Sequence, residues 1–236
     1  MEIFLDTANV DEIKKWLSYG VLDGVTTNPS IMLKDGGYDM EARAKEIAAI
    51  IYPRPLSVEV FTNDFDEMLE QAHTMARWAK NAVVKIPVIN EFGAPSLHVV
   101  NALSTEGIKV NMTACLSFGQ VAMGAKAGAT YCSIFAGRVS DEGNDASELI
   151  TRSVDWLEDW SYPTKIIVGS IREVSNVQDA ALAGAHVLTV PPQFLSKWVD
   201  HYYTRETVKG FNKDGNEAVA KLKEIQDANK ERATQR

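Results

Sequence analysis

Hydrophobic positions along the chain follow two alternating periods. Short runs rich in Val, Ile and aromatic residues alternate with longer stretches in which apolar residues return every three or four positions. The first pattern predicts strands and the second predicts amphipathic helices. The predicted strands cover residues 2–6, 24–28, 56–61, 82–87, 108–113, 130–135, 165–170 and 186–190. The predicted helices between them cover residues 9–18, 38–51, 64–80, 95–106, 117–127, 143–160 and 174–184.

This alternation favours a (β/α)8 TIM barrel, because each strand is followed by a helix long enough to cross back over a parallel sheet. The alternative is an open, doubly wound sheet. The first strand, however, lacks the G-x-G-x-x-G sequence that follows it in dinucleotide-binding versions of that fold. No Pro/Ser-rich linker interrupts the pattern, so residues 1–210 are predicted to form one barrel domain.

The pattern changes after residue 190, and residues 211–236 are predicted to form a helical C-terminal tail. Val219, Leu222 and Ile225 make a narrow apolar stripe on this charged segment. Two interpretations stay open: a terminal helix that frays on its own barrel, or an arm that docks on a neighbouring subunit.

Composition narrows the class of partner. The net charge is −8, from 24 basic and 32 acidic residues, which argues against binding to nucleic acid or to an anionic membrane. The first residues lack the basic and then apolar pattern of a signal peptide. Cys115 and Cys132 have no paired spacing that predicts a disulfide framework. We therefore expect a cytoplasmic protein with no nucleic-acid partner and no membrane partner.

One lysine stands in an apolar strand, in the sequence NAVVKIPV at residues 81–88. A period of two places Lys85 on the same face as Val83 and Pro87. An ammonium group in a protein interior is unfavourable unless it is paired or loses its proton. Lys85 is therefore either a structural oddity or a chemical reagent.

Other polar residues are predicted to share the interior with Lys85. Catalytic groups of this fold lie at the carboxyl ends of the strands. The strand alternation directs Asp6 and Glu59 inward, gives Asn28 the same face as Thr26, and gives Asn111 the same face as Thr113. Polar groups therefore collect at matching ends of successive strands.

These residue types suit imine chemistry. Loss of solvent favours the neutral amine of a lysine, which attacks ketones, and the protonated imine accepts electrons when an adjacent C–C bond breaks. That reaction needs a base for a hydroxyl proton and an acid/base group for water, roles that Asp6 and Glu59 fill. It requires no metal and no organic cofactor. The alternative is a purely structural ion cluster of Lys85, Glu59 and Asp6.

A second group of residues predicts a phosphate site. Ser170 and Arg172 stand at the end of the predicted seventh strand and before a helix, the usual phosphate position in this fold. Arg138, after the sixth strand, adds a second planar guanidinium group. The alternative is that both arginines are surface residues that pair with nearby carboxylates, those of Asp141, Glu142 or Glu173.

Four motifs closely resemble the short bacterial and archaeal transaldolases, which are grouped with the fructose-6-phosphate aldolases. They are FLDTAN (4–9), GVTTNPSI (24–31), VVKIP (83–87) and AGATYCSIFAGR (127–138). The resemblance implies a (β/α)8 barrel and a Schiff-base mechanism. The implied reaction moves a dihydroxyacetone unit from fructose 6-phosphate or sedoheptulose 7-phosphate to erythrose 4-phosphate or glyceraldehyde 3-phosphate, in the pentose phosphate pathway. It also implies a homo-oligomer, a pentamer or decamer, in which the C-terminal helix reaches a neighbour.

The resemblance assigns roles to individual residues. Lys85 resembles the Schiff-base lysine, and Asp6 resembles the base that acts on the C4 hydroxyl. Glu59 and Thr113 resemble the pair that holds and activates the catalytic water. The residues that resemble those binding the dihydroxyacetone unit are Asn28, Asn111 and Ser133, and those resembling the phosphate clamp are Arg138, Ser170 and Arg172.

Two positions of the substrate site separate the branches of that family. Fructose-6-phosphate aldolases typically carry Gln and Tyr where this chain carries Glu59 and Phe135. Phenylalanine lacks the hydroxyl that helps water to protonate the enamine, so the sequence predicts a transferase. Two alternatives stay open: an aldolase that releases free dihydroxyacetone, and a catalytically silent barrel that binds sugar phosphates.

Overall fold

The computed structural model describes residues 1–234, and their strands form one closed barrel. Adjacent strands are parallel and follow one another in sequence order around the barrel. The strands are β1 (Glu2–Asp6), β2 (Gly24–Thr26), β3 (Leu56–Glu59), β4 (Ala82–Pro87), β5 (Val110–Cys115), β6 (Tyr131–Phe135), β7 (Lys165–Gly169) and β8 (Val187–Val190). The predicted (β/α)8 TIM barrel is confirmed.

Helices connect consecutive strands, and a long helix closes the described chain. They are α1 (Val10–Ser18), α2 (Pro29–Lys34), α3 (Met40–Ile51), α4 (Phe65–Ala76), α5 (Leu97–Thr105), α6 (Phe118–Ala127), α7 (Ala136–Asp141), α8 (Ala146–Asp159), α9 (Val174–Leu182), α10 (Pro192–Val199) and α11 (Tyr202–Thr234). The short helices α2, α7 and α10 were not predicted. Segments of six to eight residues span about two turns, too few to show a helical period.

The second strand is shorter than predicted, because Asn28 caps a helix. The side-chain oxygen of Asn28 accepts a hydrogen bond of 2.8 Å from the backbone N–H of Ile31, and Pro29 occupies the first position of α2. Asn and Pro are favoured at these two positions of a helix start. Residues 27 and 28 therefore turn the chain out of β2 at the rim of the barrel.

Local hydrogen bonds and one glycine set the boundaries of α4 and α6. Asp64 caps α4 by accepting from the N–H of Glu67 at 2.9 Å, and Ser117 caps α6 by accepting from the N–H of Gln120 at 3.4 Å. Gly128 ends α6 with a φ of 94°, in the left-handed region that glycine adopts without steric cost.

The barrel interior is layered. Inward-facing apolar side chains, which we call the apolar floor, are buried together below the site; they are Phe4, Val83, Tyr131, Ile167 and Val187. Side chains alternate along a strand, so the residues two positions further on point into the same interior. These are Asp6, Lys85, Ser133, Gly169 and Thr189. The floor therefore carries a polar layer at the carboxyl ends of the strands.

Close packing in the apolar floor requires glycine at position 24. A Cβ placed on Gly24 would lie 2.7 Å from the ring of Phe4, which is the partner of Gly24 in the β1–β2 register. Only a residue without a side chain fits there, so the large ring of Phe4 fills the space beneath Asp6.

The described chain divides into two compact units, residues 1–195 and the residues from 196 onward. The second unit includes α11, a single helix with no buried residue in its described length. Val219, Leu222 and Ile225 are exposed on it. The predicted tail lies within α11 up to Thr234, and residues 235 and 236 lie outside the described range. Docking of this helix on a neighbouring subunit remains a prediction. Within residues 1–234, no helix has both the length and the apolar character needed to cross a membrane.

Candidate active site

Lys85 is buried on β4 and paired with Glu59. Its Nζ lies 2.9 Å from Oε2 of Glu59 and donates a hydrogen bond of 3.1 Å to the carbonyl oxygen of Thr27. Only 5% of Lys85 is exposed. Register explains the pairing, because Lys85 and Glu59 are partners across β3 and β4. The structure thus brings together the predicted nucleophile and one predicted acid/base group.

Asp6 enters the same site from the end of β1. Its Oδ1 accepts a hydrogen bond of 2.7 Å from the hydroxyl of Thr26. Burial raises the pKa of the Asp6 carboxyl above its ordinary value; the Lys85 ammonium and the Thr26 hydroxyl oppose this rise, whereas the charges of Glu59 and Asp35 add to it. Asp6 is therefore a stronger base than an aspartate in water.

Strands β5 and β6 contribute a row of hydrogen-bonded polar groups. Asn111, the register partner of Lys85, accepts at Oδ1 from the hydroxyl of Ser133 at 2.7 Å. The Nδ2 of Asn111 donates to the hydroxyl of Ser57 at 3.3 Å. All three residues are buried. Their mutual bonds hold the amide and hydroxyl groups in fixed directions beside Lys85.

Thr113 lies two residues beyond Asn111 and is fully buried. Its hydroxyl has no hydrogen-bond partner within residues 1–234. An unsatisfied buried hydroxyl destabilises a fold by about 1–3 kcal/mol. Such a group gains most from a bound water or ligand that accepts or donates a hydrogen bond at that point.

A cavity of about 180 Å³ opens at the carboxyl end of the barrel. Its described lining residues are Asp6, Thr26, Asn28, Lys85, Ser133, Phe135, Arg138, Gly169, Ser170 and Thr189. A larger cavity of about 900 Å³ lies between α3 and α4 and is lined by Tyr38, Phe61 and Trp78 among others. The smaller cavity is the candidate active site, because it holds the buried lysine and the aspartate with the raised pKa.

Asn28, Phe135 and Arg138 form one side of this cavity. Asn28 uses its Oδ1 to cap α2, so its Nδ2 is the donor that it offers to a ligand. The guanidinium carbon of Arg138 lies 6.0 Å from the centre of the Phe135 ring. A positive charge therefore lies beside an aromatic face at the edge of the cavity.

Ser170 is held in an unusual backbone conformation, with a φ of 58°. Its carbonyl oxygen accepts from the N–H of Gly137 at 3.2 Å, and a Cβ on Gly137 would lie 2.2 Å from that oxygen. Gly137 therefore has to be glycine. This contact fixes the loop after β7 against the start of α7, which places Ser170 and Arg138 at one cavity.

Arg172 follows Ser170 in the same loop, and its side chain packs at Gly137, where an added Cβ would lie 2.9 Å from its Nε. Its Nη1 and Nη2 make a two-pronged ion pair with Oδ1 and Oδ2 of Asp141, both at 2.7 Å. Arg172 is half exposed and does not line the cavity in the described chain. Its geometry matches the alternative of a surface arginine that pairs with Asp141. The structure thus brings Arg138 and Ser170 into the cavity lining, and Arg172 lies beside them, paired with Asp141.

Sequence reasoning gave no role to Thr189, which the structure places in the cavity lining next to Thr26. The alternation in HVLTV (186–190) was a usable signal, because it puts Thr189 on the same face of the strand as Val187, which points into the barrel. The carbonyl of Thr27 was also missed, since side-chain patterns carry no information on backbone acceptors.

Fold and site together define a class: a (β/α)8-barrel protein with a lysine-centred polar site at the carboxyl ends of its strands. The chain belongs to the transaldolase/fructose-6-phosphate aldolase family, which it matches over residues 3–235. The resemblance seen in the four sequence motifs is thereby confirmed.

Curated relatives extend the match to nearly full length. The chain is 41% identical over 214 residues to a protein of Dehalococcoides mccartyi named "Probable transaldolase". The match covers 91% of this chain and 97% of the relative. It is 43% identical over 214 residues to "Probable transaldolase 2" of Listeria monocytogenes, with 91% and 95% covered. It is 39% identical over 223 residues to a "Probable transaldolase" of Clostridium botulinum, with 94% and 100% covered. These names support an enzyme of the transaldolase family.

Solved structures with low sequence identity share the barrel. One described as "Native KDPGal structure" has a TM-score of 0.56 at 16% identity and covers 88% of this chain and 95% of that chain. A mandelate oxidase has a TM-score of 0.54 at 15% identity, with 81% and 64% covered. At such identities the similarity establishes the fold alone.

Proposed function

We propose that the protein is a transaldolase. It transfers a dihydroxyacetone unit from a ketose phosphate, fructose 6-phosphate or sedoheptulose 7-phosphate, to an aldose phosphate, erythrose 4-phosphate or glyceraldehyde 3-phosphate. The observation that carries this proposal is Lys85, buried at the carboxyl end of β4, 2.9 Å from Glu59 and in one cavity with Asp6. Membership of the transaldolase/fructose-6-phosphate aldolase family supports it.

In the first step, the Lys85 ammonium passes a proton to Glu59, and the neutral amine attacks the C2 ketone of the donor sugar. A C–N bond forms, the carbonyl oxygen takes up protons and leaves as water, and a protonated imine remains. The net change converts one ammonium and one ketone into one protonated imine and one water, so charge is conserved. Glu59 moves these protons, and the buried hydroxyl of Thr113 holds the water.

In the second step, Asp6 removes the proton of the C4 hydroxyl and the C3–C4 bond breaks. The bonding electrons move into the protonated imine, which becomes a neutral enamine, and the first aldose phosphate leaves. The raised pKa of Asp6 suits this role, because a more basic carboxylate accepts a proton more readily. The reverse sequence with a second aldose phosphate forms the new ketose, and water then releases it from Lys85.

Binding groups surround the reacting carbons. Asn28, Asn111 and Ser133 are proposed to hydrogen-bond the dihydroxyacetone unit, and Arg138 with Ser170 to bind the phosphate. Arg172 is proposed as the third member of this clamp, because its pair with Asp141 uses Nη1 and Nη2 and leaves its Nε–H as a donor. Two-pronged pairing suits phosphate as well as carboxylate, so a phosphate also competes with Asp141 for the Nη groups of Arg172.

Phe135 favours transfer over release. Its side chain lines the cavity and has no hydroxyl to deliver a proton to the enamine. We therefore propose that the three-carbon unit waits on Lys85 for an aldehyde acceptor. An aldolase that releases dihydroxyacetone is the rival activity.

The wider setting belongs to the same proposal. We infer a cytoplasmic enzyme of the pentose phosphate pathway that works as a homo-oligomer, a pentamer or decamer, without nucleic-acid or membrane partners. The exposed stripe of Val219, Leu222 and Ile225 on α11 supports docking on a neighbouring subunit. Light scattering on the full chain, compared with a variant that has Ser at these three positions, tests the assembly. A variant that keeps the parent's mass would contradict docking through this stripe.

The decisive experiment measures glyceraldehyde 3-phosphate release from fructose 6-phosphate with and without erythrose 4-phosphate. Release that depends on the acceptor identifies a transaldolase. Release without acceptor identifies an aldolase and overturns the role given to Phe135. Borohydride treatment with fructose 6-phosphate, followed by mass spectrometry, separates both from a silent barrel, in which Lys85 gains no mass.

A further inference from the structure

A chain of three hydrogen-bonding side chains runs from β8 to the proposed base. Thr26 Oγ1 donates to Asp6 Oδ1 at 2.7 Å, and the hydroxyl oxygens of Thr26 and Thr189 lie 2.5 Å apart. Strand β1 lies between β2 and β8, so the three residues converge from three neighbouring strands. Thr26 is 2% exposed and Thr189 is 6% exposed. Bulk water therefore has little access to either hydroxyl.

Counting protons fixes the direction of the chain. A threonine hydroxyl has one hydrogen to donate. When Asp6 is ionised it can only accept hydrogen bonds, so Thr26 donates its one hydrogen to Asp6. The remaining contact is then donated by Thr189, whose hydrogen points to the Thr26 oxygen. Thr189 is thus the donor that leaves Thr26 free to face Asp6.

Protonation of Asp6 reverses this order. With a proton on Oδ1, Asp6 becomes a donor to Thr26, and Thr26 turns its hydrogen to the oxygen of Thr189. The hydrogen of Thr189 is then released from the chain, beside the cavity that Thr189 lines. The chain therefore offers a complete set of hydrogen bonds to both forms of the carboxyl group.

We propose that Thr189 is a positioning residue for C–C bond cleavage, because its hydroxyl aims the Thr26 hydrogen at Asp6 and so tunes that carboxylate as a proton acceptor. The inference rests on the base role that the proposed function gives to Asp6. Hydrogen bonds in such a chain polarise one another, so loss of the outer one weakens the inner one.

The charges that face Asp6 come from other elements. They are Lys85 on β4, Glu59 on β3 and Asp35 after α2. A neutral substitution at Thr189 leaves all three of these charged residues unchanged. A change in the titration of Asp6 in such a variant then reports the hydroxyl chain and not a new charge.

Thr189 offers a matched set of substitutions. Thr189→Val replaces the hydroxyl with a methyl group of similar size, and Thr189→Ser keeps the hydroxyl. The methyl group of Thr189 lies 3.1 Å from where a Cβ on Gly169 would be, so the residue is closely packed and its volume should be kept. Thr189→Ala serves as a second hydroxyl-free variant if the valine variant does not fold.

The test is the pH dependence of acceptor-dependent glyceraldehyde 3-phosphate release. Asp6 has to be ionised to accept the substrate proton, so the rate falls as the pH drops through its pKa. Loss of the Thr189 hydroxyl affects both forms of Asp6, but it weakens the charge-assisted bond from Thr26 to the ionised carboxylate more than the neutral bonds of the protonated form. We therefore expect this acid limb to move to higher pH. On the acid side the loss is roughly threefold to tenfold, the effect of about one hydrogen bond, and it shrinks as the pH rises. The serine variant should keep the parent's profile.

A merely structural role gives a different pattern. It lowers the rate equally at every pH, or lowers it in the serine variant as well, and either result would overturn the proposal. A Thr26→Val background adds a second check, because Thr189 acts through Thr26. In that background Thr189→Val should cause no further shift, and a full additional shift would contradict the chain.

The carboxyl carbon of Asp6 gives a readout that does not depend on catalysis. In protein labelled with ¹³C-aspartate, with Asp6→Asn to assign the signal, Asp6 should titrate at higher pH in Thr189→Val than in the parent. Equal titration in the two proteins refutes the role of Thr189, whatever reaction the enzyme catalyses. A parent that forms no borohydride-trapped imine refutes the proposed function instead, so the two failures are distinguishable.

Discussion

The Nζ of Lys85 lies 2.9 Å from the Oε2 of Glu59, and the two residues are direct partners across strands β3 and β4. Strand pairing rather than chance rotamer choice creates this contact. It satisfies a buried ammonium, and in the proposed mechanism it provides the acceptor for the proton that Lys85 loses before it attacks a ketone.

Lys85→Met is expected to abolish imine formation with fructose 6-phosphate, because thioether sulfur is no substitute for an amine in forming an imine. Borohydride trapping followed by mass spectrometry of the intact protein checks this. Lys45→Met, on the exposed face of α3, is the matched control and should trap as the parent does. A trapped adduct in Lys85→Met, or appreciable transfer by it, would contradict the assignment of the nucleophile.

Asp6→Asn is expected to separate the two chemical steps. The amide retains much of the shape of the carboxylate but accepts no proton, so cleavage should slow by roughly 10²–10⁴-fold, the usual contribution of a general base. Imine trapping should persist, since Lys85 and Glu59 are unchanged. In the parent, the cleavage rate should fall as the pH drops through the raised pKa of Asp6. Loss of that acid limb in Asp6→Asn completes the test, and an unchanged limb would assign it to another group.

Phe135→Tyr is expected to increase release of dihydroxyacetone in the absence of an acceptor. The new hydroxyl would lie in the cavity lining, where it helps water to protonate the enamine. Free dihydroxyacetone, assayed enzymatically with fructose 6-phosphate alone, measures the effect. Phe118→Tyr, on α6, is a control that adds the same hydroxyl outside the cavity lining. An unchanged product ratio in Phe135→Tyr would show that this position does not decide between transfer and release.

Arg138→Ala is expected to raise the KM for phosphorylated sugars roughly tenfold or more, with a smaller change in kcat, since a charge-assisted contact contributes about 1.5–3 kcal/mol. Arg172→Ala should have a smaller effect, because its guanidinium is already paired with Asp141 and is not part of the described cavity lining. Steady-state kinetics with glyceraldehyde 3-phosphate and unphosphorylated glyceraldehyde as acceptors distinguishes binding of the phosphate from general damage. Equal performance of the parent on both acceptors would refute the clamp.

Gly24→Ala is expected to destabilise the barrel by about 1–3 kcal/mol, the usual effect of overpacking a core. The new methyl group would lie 2.7 Å from the Phe4 ring, directly beneath the proposed base. Urea unfolding followed by circular dichroism measures the change. Gly119→Ala is the matched control, because a Cβ there meets no atom within 4 Å. Equal stability of the two variants would show that the Phe4 ring moves aside easily.

Sequence patterns predicted the strands and helices that are long enough to show their hydrophobic period. β1 and β4 occur at the predicted residues, because their alternation is uninterrupted. The predicted end of β2 was wrong. Asn28 follows a strand-like sequence, but its side chain caps α2. A short-range hydrogen bond from a polar side chain therefore ended the strand earlier than the alternation of its residues predicts.

The inward faces of the strands also follow from the sequence, which groups Asp6, Glu59 and Lys85 in the barrel interior. Strand alternation and parallel register place such residues together with little freedom. Arg172 shows the limit of this reasoning. Its guanidinium sits on a flexible stem in a loop and pairs with Asp141, which is 31 positions away in the chain, so no local pattern indicates where it points.

The hydrogen bond between Thr26 and Thr189 joins residues 163 positions apart, across the seam where β8 meets β1. A chain that stops before β8 leaves β1 with an open edge and its aspartate without the outer hydroxyl. The hydrogen-bonded setting of the proposed base is therefore complete only when the eighth strand has joined the barrel. If Asp6 is the base that we propose, enzymatic turnover reports that the ring of strands has closed.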